Sequence, residues 1–311
     1  TSGTVFKSGY QSLTFAIKCA KTDSRSPQIR SEFDILRTIN HPHIIKVLDV
    51  DMSFGSWMTM EWMDLGSLWD FVHRYGKLSE RRARRLMYEA LCGIAHLHSE
   101  AHTSPLGLRN CAITHHDLKP GNMLLTSTPG GEVCLKIADF GNATYTQTTG
   151  DIALEAHQNF SAGGTHGFMP PEVENAHNEK GFLNTTAADI LAWAKCFVDV
   201  LVEGCEKTTS LVDILDWCTE DDPGDRPTAT DLLKSIYWEE VLPEAPSETT
   251  VEHTVVPPTP ATLPWEDFLA SLTQPTGTTE DVIAAHGALH MNEVSSNQDW
   301  HDPVSASTTT L

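Results

Sequence analysis

Basic residues run out early in this chain. Of its 311 residues, 21 are Lys or Arg against 42 Asp or Glu, a formal net charge of −21, and none of the bases lies beyond Lys234. Residues 239 to 311 hold twelve acids, which leaves residues 1 to 238 at −9. A chain this acidic lacks the basic patches that meet phosphates, so no nucleic-acid partner is expected. Long apolar runs are missing as well. The most apolar stretch, 188 to 202, is interrupted by Asp189, Lys195 and Asp199. A membrane-spanning helix needs about 20 apolar residues, so no membrane partner is expected, and nothing resembles a signal peptide. The seven cysteines (Cys19, Cys92, Cys111, Cys134, Cys196, Cys205, Cys218) are scattered, odd in number and without a Cys-x-x-Cys spacing. They suit small buried groups in a reducing, intracellular compartment, cytoplasm or nucleus.

The tail from 239 to 311 is rich in Thr, Ser and Pro and short of the apolar area that would offset ordering entropy, which predicts a mostly disordered segment. Pro264 to Leu272 reads as a short amphipathic helix or a transient solvated turn. The globular part is then residues 1 to 238.

What is present is concentrated between 114 and 141. Thr114-His115-His116-Asp117-Leu118-Lys119-Pro120-Gly121-Asn122 puts a carboxylate, an ammonium and an amide within six residues, around a Pro-Gly pair that argues for a rigid loop. Apolar runs 123–125 and 133–138 flank Pro129-Gly130-Gly131 and read as a hairpin, ending at Asp139-Phe140-Gly141. Taken singly, Asp117 and Asn122 are ordinary turn formers.

Together, in this order, these residues resemble two motifs of the eukaryotic protein kinases: His-Arg-Asp, four intervening residues and Asn, here His115-His116-Asp117 and Asn122, and then Asp-Phe-Gly. The resemblance extends through the chain. Phe15-Ala16-Ile17-Lys18 is similar to the Val-Ala-Ile-Lys of the third kinase strand, and Gln28 to Ile39, with apolar Ile29, Phe33, Leu36 and Ile39 at helical spacing, is similar to the helix that supplies its Glu partner, here Glu32. Trp57 to Met63 looks like the strand entering the hinge, with Met60 as gatekeeper and Glu61-Trp62-Met63 as the hinge whose backbone would pair with adenine. Gly164 to Glu172 looks like the end of the activation segment, with Glu172 expected to pair with Arg226, and Asp189 matches the acid that braces the catalytic loop.

The resemblance implies an α+β, two-lobed protein-kinase-like fold. A small antiparallel-sheet lobe would end near Trp62, and a mainly helical lobe would run from 63 to 238. ATP and Mg²⁺ are the implied cofactors. Gly3, Val5, Ala16, Lys18, Glu32, Met60, Glu61, Met63 and Leu124 would form the nucleotide site, Asn122 and Asp139 would hold Mg²⁺, Asp117 would act as base and Lys119 would neutralise the transferring phosphate. Asp-Leu-Lys-Pro places the chain with the serine/threonine branch. The implied partner is a protein bearing Ser or Thr, and the acidic surface favours a basic one. The rival reading is a pseudokinase, a binding or scaffold module that has lost its grip on phosphate.

Several departures from the family pattern bear on that choice. The phosphate loop is represented only by Gly3-Thr4-Val5, which implies either a truncated sequence or a weak catalyst. About twenty residues separate the Asp189 helix from Arg226, so the substrate-docking region is reduced. His116 stands where kinases switched by activation-loop phosphorylation carry Arg, which predicts little dependence on such phosphorylation. Along the remaining chain, Ser8 to Ser12 reads as a turn, Ser79 as a helix N-cap, Arg81, Arg82, Arg84 and Arg85 as a solvated helix face, Thr103 to Gly107 as an inserted surface loop, and 142 to 164 as a mobile segment.

Overall fold

The computed structural model describes residues 3–10, 13–20, 26–51, 57–128, 132–149, 152–155, 164–175, 186–202 and 207–239. The tail beyond Glu239, the Pro264–Leu272 segment and the turn at Pro129–Gly131 lie outside the described residues.

The chain opens on a four-stranded antiparallel sheet of order β1-β2-β4-β3, formed by β1 (Gly3–Tyr10), β2 (Leu13–Ala20), β3 (Val47–Asp51) and β4 (Trp57–Glu61). The turn expected over Ser8–Ser12 is shorter than that. Ser8 pairs with Phe15 and Tyr10 with Leu13, so cross-strand pairing runs almost to the tip. Polar Ser8 and Gly9 read as turn formers, but the partner strand's hydrophobic Leu13 and Phe15 hold them in register. Helix α1 (Ser26–Leu36) packs against this sheet, ending three residues before the Ile39 limit of the apolar stripe. Ile29, Glu32 and Leu36 all lie on its buried face.

The larger part is mainly helical. A two-residue strand β5 (Gly66–Ser67) leads into α2 (Leu68–Tyr75), whose start is fixed by a capping box. The Ser67 hydroxyl accepts from Asp70 N–H at 3.1 Å, while the Asp70 carboxylate accepts from Ser67. Next comes α3 (Glu80–His98), the longest helix. Its buried residues Ala83, Leu86, Met87, Ala90, Leu91, Ile94 and Leu97 recur at three- and four-residue spacing, and each buried Leu or Ile contributes about 1.5–3 kcal/mol. Ser79 occupies its N-cap with extended backbone but makes no side-chain cap bond, so it does not serve the role its residue type suggested. Nor are the four arginines simply a solvated face: Arg84 binds Glu80 at 3.1 Å and lies over the Tyr237 ring, and Arg85 binds Glu132.

The hairpin expected at the centre is β7 (Met123–Ser127) paired antiparallel with β8 (Val133–Ile137). A second small sheet joins β6 (Ala112–Thr114) to β9 (Thr144–Thr149) and β10 (Ile152–Glu155). The start of the segment expected to be mobile is therefore ordered by strand pairing, with Thr144 opposite Thr114 and Thr146 opposite Ala112. The inserted loop is closed at its base by a bridge between His102 and Cys111 and turns at Ser104, with Leu106 exposed. Helices α4 (Pro171–Asn175), α5 (Thr186–Val200), α6 (Thr209–Cys218) and α7 (Ala229–Leu233) complete the lobe. Trp193, Phe197, Tyr237 and Trp238 interlock there with ring centroids 4.7–6.4 Å apart. Among the described residues no helix is long and apolar enough to cross a membrane.

Candidate active site

A buried cation stands where the two parts meet. Strand pairing across β2 puts Ala16 opposite Met60 and Lys18 opposite both Val5 and Met58. Gly3 lies over the same strand, and a Cβ there would collide with the Cys19 carbonyl oxygen, so the close approach of β1 requires glycine. The Lys18 ammonium is 2.7 Å from Glu32 Oε2 on α1 and 2.7 Å from Asp139 Oδ1 after β8. Glu32 Oε1 accepts from the Phe140 N–H at 3.2 Å, and the Phe140 side chain is fully buried. Helix α1 is thus bonded to both the strand lysine and the Asp-Phe-Gly turn.

Charge in this trio is unevenly shared. Burial opposes the Lys18 cation, but the two carboxylates outweigh it and raise its pKa. Burial likewise opposes ionised Asp139, and Lys18 more than offsets that, holding the carboxyl at about 2. Glu32, wholly buried, is pushed upward by burial against the pull of Lys18. Two carboxylates compete for one ammonium, and Asp139 keeps the stronger hold.

The loop from His115 to Asn122 is fixed from below. Asp189, on α5 and almost fully buried, accepts from the backbone N–H of His115 at 2.8 Å and of His116 at 2.9 Å, and its Oδ2 contacts His98 Nε2 at 3.0 Å. Burial pushes its carboxyl up, and the His98 contact, with the nearby His116 and His115 rings, outweighs that and brings it to about 2. The clamp lets His116 adopt a left-handed backbone (φ 66°), costly for a non-glycine residue, which turns Asp117 toward the cleft. His115 Nε2 sits 3.0 Å from the Ala138 carbonyl oxygen, tying the loop to the strand that carries Asp139. Asp139 is left-handed too, at φ 64°.

Asp117 is the hub of the loop. Its Oδ2 accepts from Lys119 Nζ at 2.9 Å and from Asn122 Nδ2 at 3.1 Å, and its Oδ1 accepts from the Thr165 hydroxyl at 2.7 Å. Lys119 also donates to Thr165 at 2.6 Å. Thr165, within the Gly164–Glu172 stretch, is the member of this network that residue spacing did not assign, because it lies 48 residues from Asp117. A cleft beside Asp117 is walled by Thr165, Phe168, Met169, Val173 and Ala188. Asn122 Nδ2 also binds the Asp117 carbonyl oxygen at 2.8 Å, which commits the amide nitrogen and leaves the amide oxygen for a cation. With the ionised Asp139, that makes an oxygen donor set suited to Mg²⁺.

The remaining nucleotide-site candidates sit where the small sheet meets β7. Met60 and Met63 are buried, and Leu124 is half-buried, opposite Ser67 and Lys136. Glu61 has its carboxylate bound by Lys136 at 2.8 Å and by the Lys46 N–H, and its own N–H donates to the Lys46 carbonyl. Its side chain therefore ties β4 to β8. The expected Glu172–Arg226 pair forms as a fork of 2.6 and 3.0 Å. His116 Nε2 lies 2.7 Å from the Thr144 hydroxyl.

These features agree with comparisons to known proteins. Over 75% of this chain and 86% of its own, the chain in a crystal structure of the Rad53 kinase domain and SCD2 superposes with a TM-score of 0.55 at 22% identity, a likeness of fold. A probable serine/threonine-protein kinase of Dictyostelium discoideum is 33% identical over 154 residues, which are 49% of this chain and 27% of that protein. The kinase cds1 of Schizosaccharomyces pombe is 30% identical over 148 residues, 47% of this chain and 28% of its own. The matches thus span under a third of these relatives' length. Residues 1–203 match the family model described as the protein kinase domain, and the chain belongs to that family.

Proposed function

We propose that the chain is a serine/threonine protein kinase that moves the γ-phosphoryl group of ATP to a protein hydroxyl. The observation that carries this reading is the Lys18–Glu32–Asp139 trio, closed at 2.7 Å on both sides, with Asp117 and Asn122 braced beside it. Lys18 binds and orients the ATP phosphates. Glu32 fixes Lys18 and, through the Phe140 N–H, the turn that carries Asp139. Asp139 and Asn122 would hold Mg²⁺, which when bound neutralises charge on the phosphate oxygens.

Asp117 holds the substrate hydroxyl and takes its proton as the oxygen bonds to phosphorus and the bond to ADP breaks. Lys119, already bridging Asp117 and Thr165, faces the transferring group from the same side. The apolar wall of Phe168, Met169 and Val173 would seat the substrate chain. Catalysis here is positioning plus charge, with nothing covalent asked of the protein.

Substrate hydroxyl transfer is tested with radiolabelled ATP, Mg²⁺ and a mixture of Ser- and Thr-containing peptides. Wild type should label them and Asp117→Asn should lower the rate by about 10²–10⁴. Equal rates would overturn the assignment of Asp117. The contact of His116 with Thr144 supports a loop held without a phosphate, so phosphatase treatment should leave turnover unchanged.

A further inference from the structure

Away from the cleft, three side chains of different chemistry converge where the loop after α1 meets α3 and β8. His43 Nδ1 lies 3.8 Å from Glu89 Oε2 and 3.9 Å from Cys134 Sγ. All three donor atoms lie within 4.8 Å of one another, and among the described residues no other trio of His, Cys, Asp or Glu side chains does so. We propose that His43, Glu89 and Cys134 form a binding site for a divalent transition metal of the Zn²⁺ class, completed by water.

The donor set suits that class: one imidazole nitrogen, one carboxylate oxygen and one thiolate, where Mg²⁺ would demand oxygen throughout. Tetrahedral Zn²⁺ with these ligands needs donor separations of about 3.3–3.6 Å, so the two His43 separations of 3.8 and 3.9 Å contract by a few tenths of an ångström, and Glu89 and Cys134, within 4.8 Å of each other, close by at most about 1.2 Å. The backbone already holds the three elements together. Ile137 N–H donates to the His43 carbonyl at 2.9 Å, Ile45 N–H to the Ile137 carbonyl at 2.9 Å, and Leu135 N–H to Glu89 Oε2 at 2.7 Å. Gly93 makes the approach possible, since a Cβ there would stand 3.0 Å from the His43 carbonyl oxygen. His43 and Cys134 are half-buried and Glu89 is buried, which gives an ion a way in and a shielded seat.

The local charges permit a cation. Arg85, 3.3 Å from Glu89 Oε1, is itself gripped by Glu132 at 2.9 and 3.1 Å, and Lys136 is bound by Glu61. His43 Nδ1 is 3.0 Å from the Leu135 carbonyl oxygen, so binding moves the ring proton to Nε2 and sends the thiol proton of Cys134 to solvent. One proton leaves per ion. The consequence is a clamp joining the loop after α1 to α3 and β8, separate from the Asp139 and Asn122 oxygens.

The test is Co²⁺ titration of the full chain, followed by displacement with Zn²⁺. The expected result is one ion per chain with a thiolate-to-Co²⁺ charge-transfer band that Zn²⁺ bleaches. The band should be lost in Cys134→Ser and kept in Asp139→Asn. His43→Gln should weaken affinity at least about 10–100-fold. Absence of the band, or its survival in Cys134→Ser, overturns the proposal. Should Cys134→Ser not fold, alkylation of wild type decides: Zn²⁺ is expected to slow modification of Cys134, but not of Cys19, at least about tenfold. Equal slowing of both, or of neither, overturns it.

Discussion

Two buried cations each bind carboxylates at hydrogen-bond distance, and the molecule uses them differently. Arg226, fully buried, is matched donor by donor. Glu172 takes both ends of its fork, and the carbonyl oxygens of Glu220, Ala187 and Asp221 accept at 2.8–3.4 Å. Lys18 instead carries two carboxylates on one ammonium, one of them wholly buried. Removing Glu172 would leave a buried guanidinium with carbonyl acceptors but no countercharge, whereas removing Glu32 would leave Lys18 still paired with Asp139. The second carboxylate is therefore surplus as a countercharge, the pattern expected of a site kept for chemistry.

That contrast can be broken by exchanging carboxylate for amide on each side. Glu172→Gln should lower unfolding stability in urea by about 3–5 kcal/mol, because it strands a buried charge. Glu32→Gln should leave stability within about 1 kcal/mol, since burial already opposes its charge. It should still slow phosphate transfer by about 10²-fold through misplacement of Lys18 and of the Asp139 turn. Similar stability losses in both would erase the distinction.

Smaller changes sharpen it. Arg226→Lys keeps the charge and loses the fork, with an expected cost of about 1.5–3 kcal/mol. At the other site the signature is acid sensitivity. Asp139 sits at about 2 against an ordinary 3.8, and a carboxyl lowered by folding stabilises the fold above its unfolded value and loses that contribution as pH falls through its folded value. The stability gap between wild type and Asp139→Asn, at most about 2 kcal/mol, should close between about pH 4 and pH 2.

Much of the site was legible because its chemistry is local in sequence. Asp117, Lys119 and Asn122 fall within six residues, and Lys18 and Glu32 lie fourteen apart. The elements that carry them also have clear periods: the apolar faces of α1 and α3, and the paired runs of β7 and β8. What was hidden depends on distant partners, which leave no spacing to read. Thr165 reaches Asp117 across 48 residues, and Lys18 reaches Asp139 across 121. The pairing of β9 with β6 likewise overrides a Thr-rich composition that suggests a loose segment. Arg84 folds back over Tyr237, a contact that no charge pattern on α3 alone could reveal.

The carboxylate surplus around Lys18 is expected to serve phosphate transfer. Mg²⁺-ATP binding and peptide phosphorylation, measured side by side for wild type and Asp139→Asn, test it most directly. Transfer by wild type should depend on Mg²⁺ and fall by at least about 10²–10³ in the variant, with the fold retained. Equal, near-zero transfer from both proteins, with ATP binding indifferent to Mg²⁺, would contradict it and leave a binding module built on the same fold.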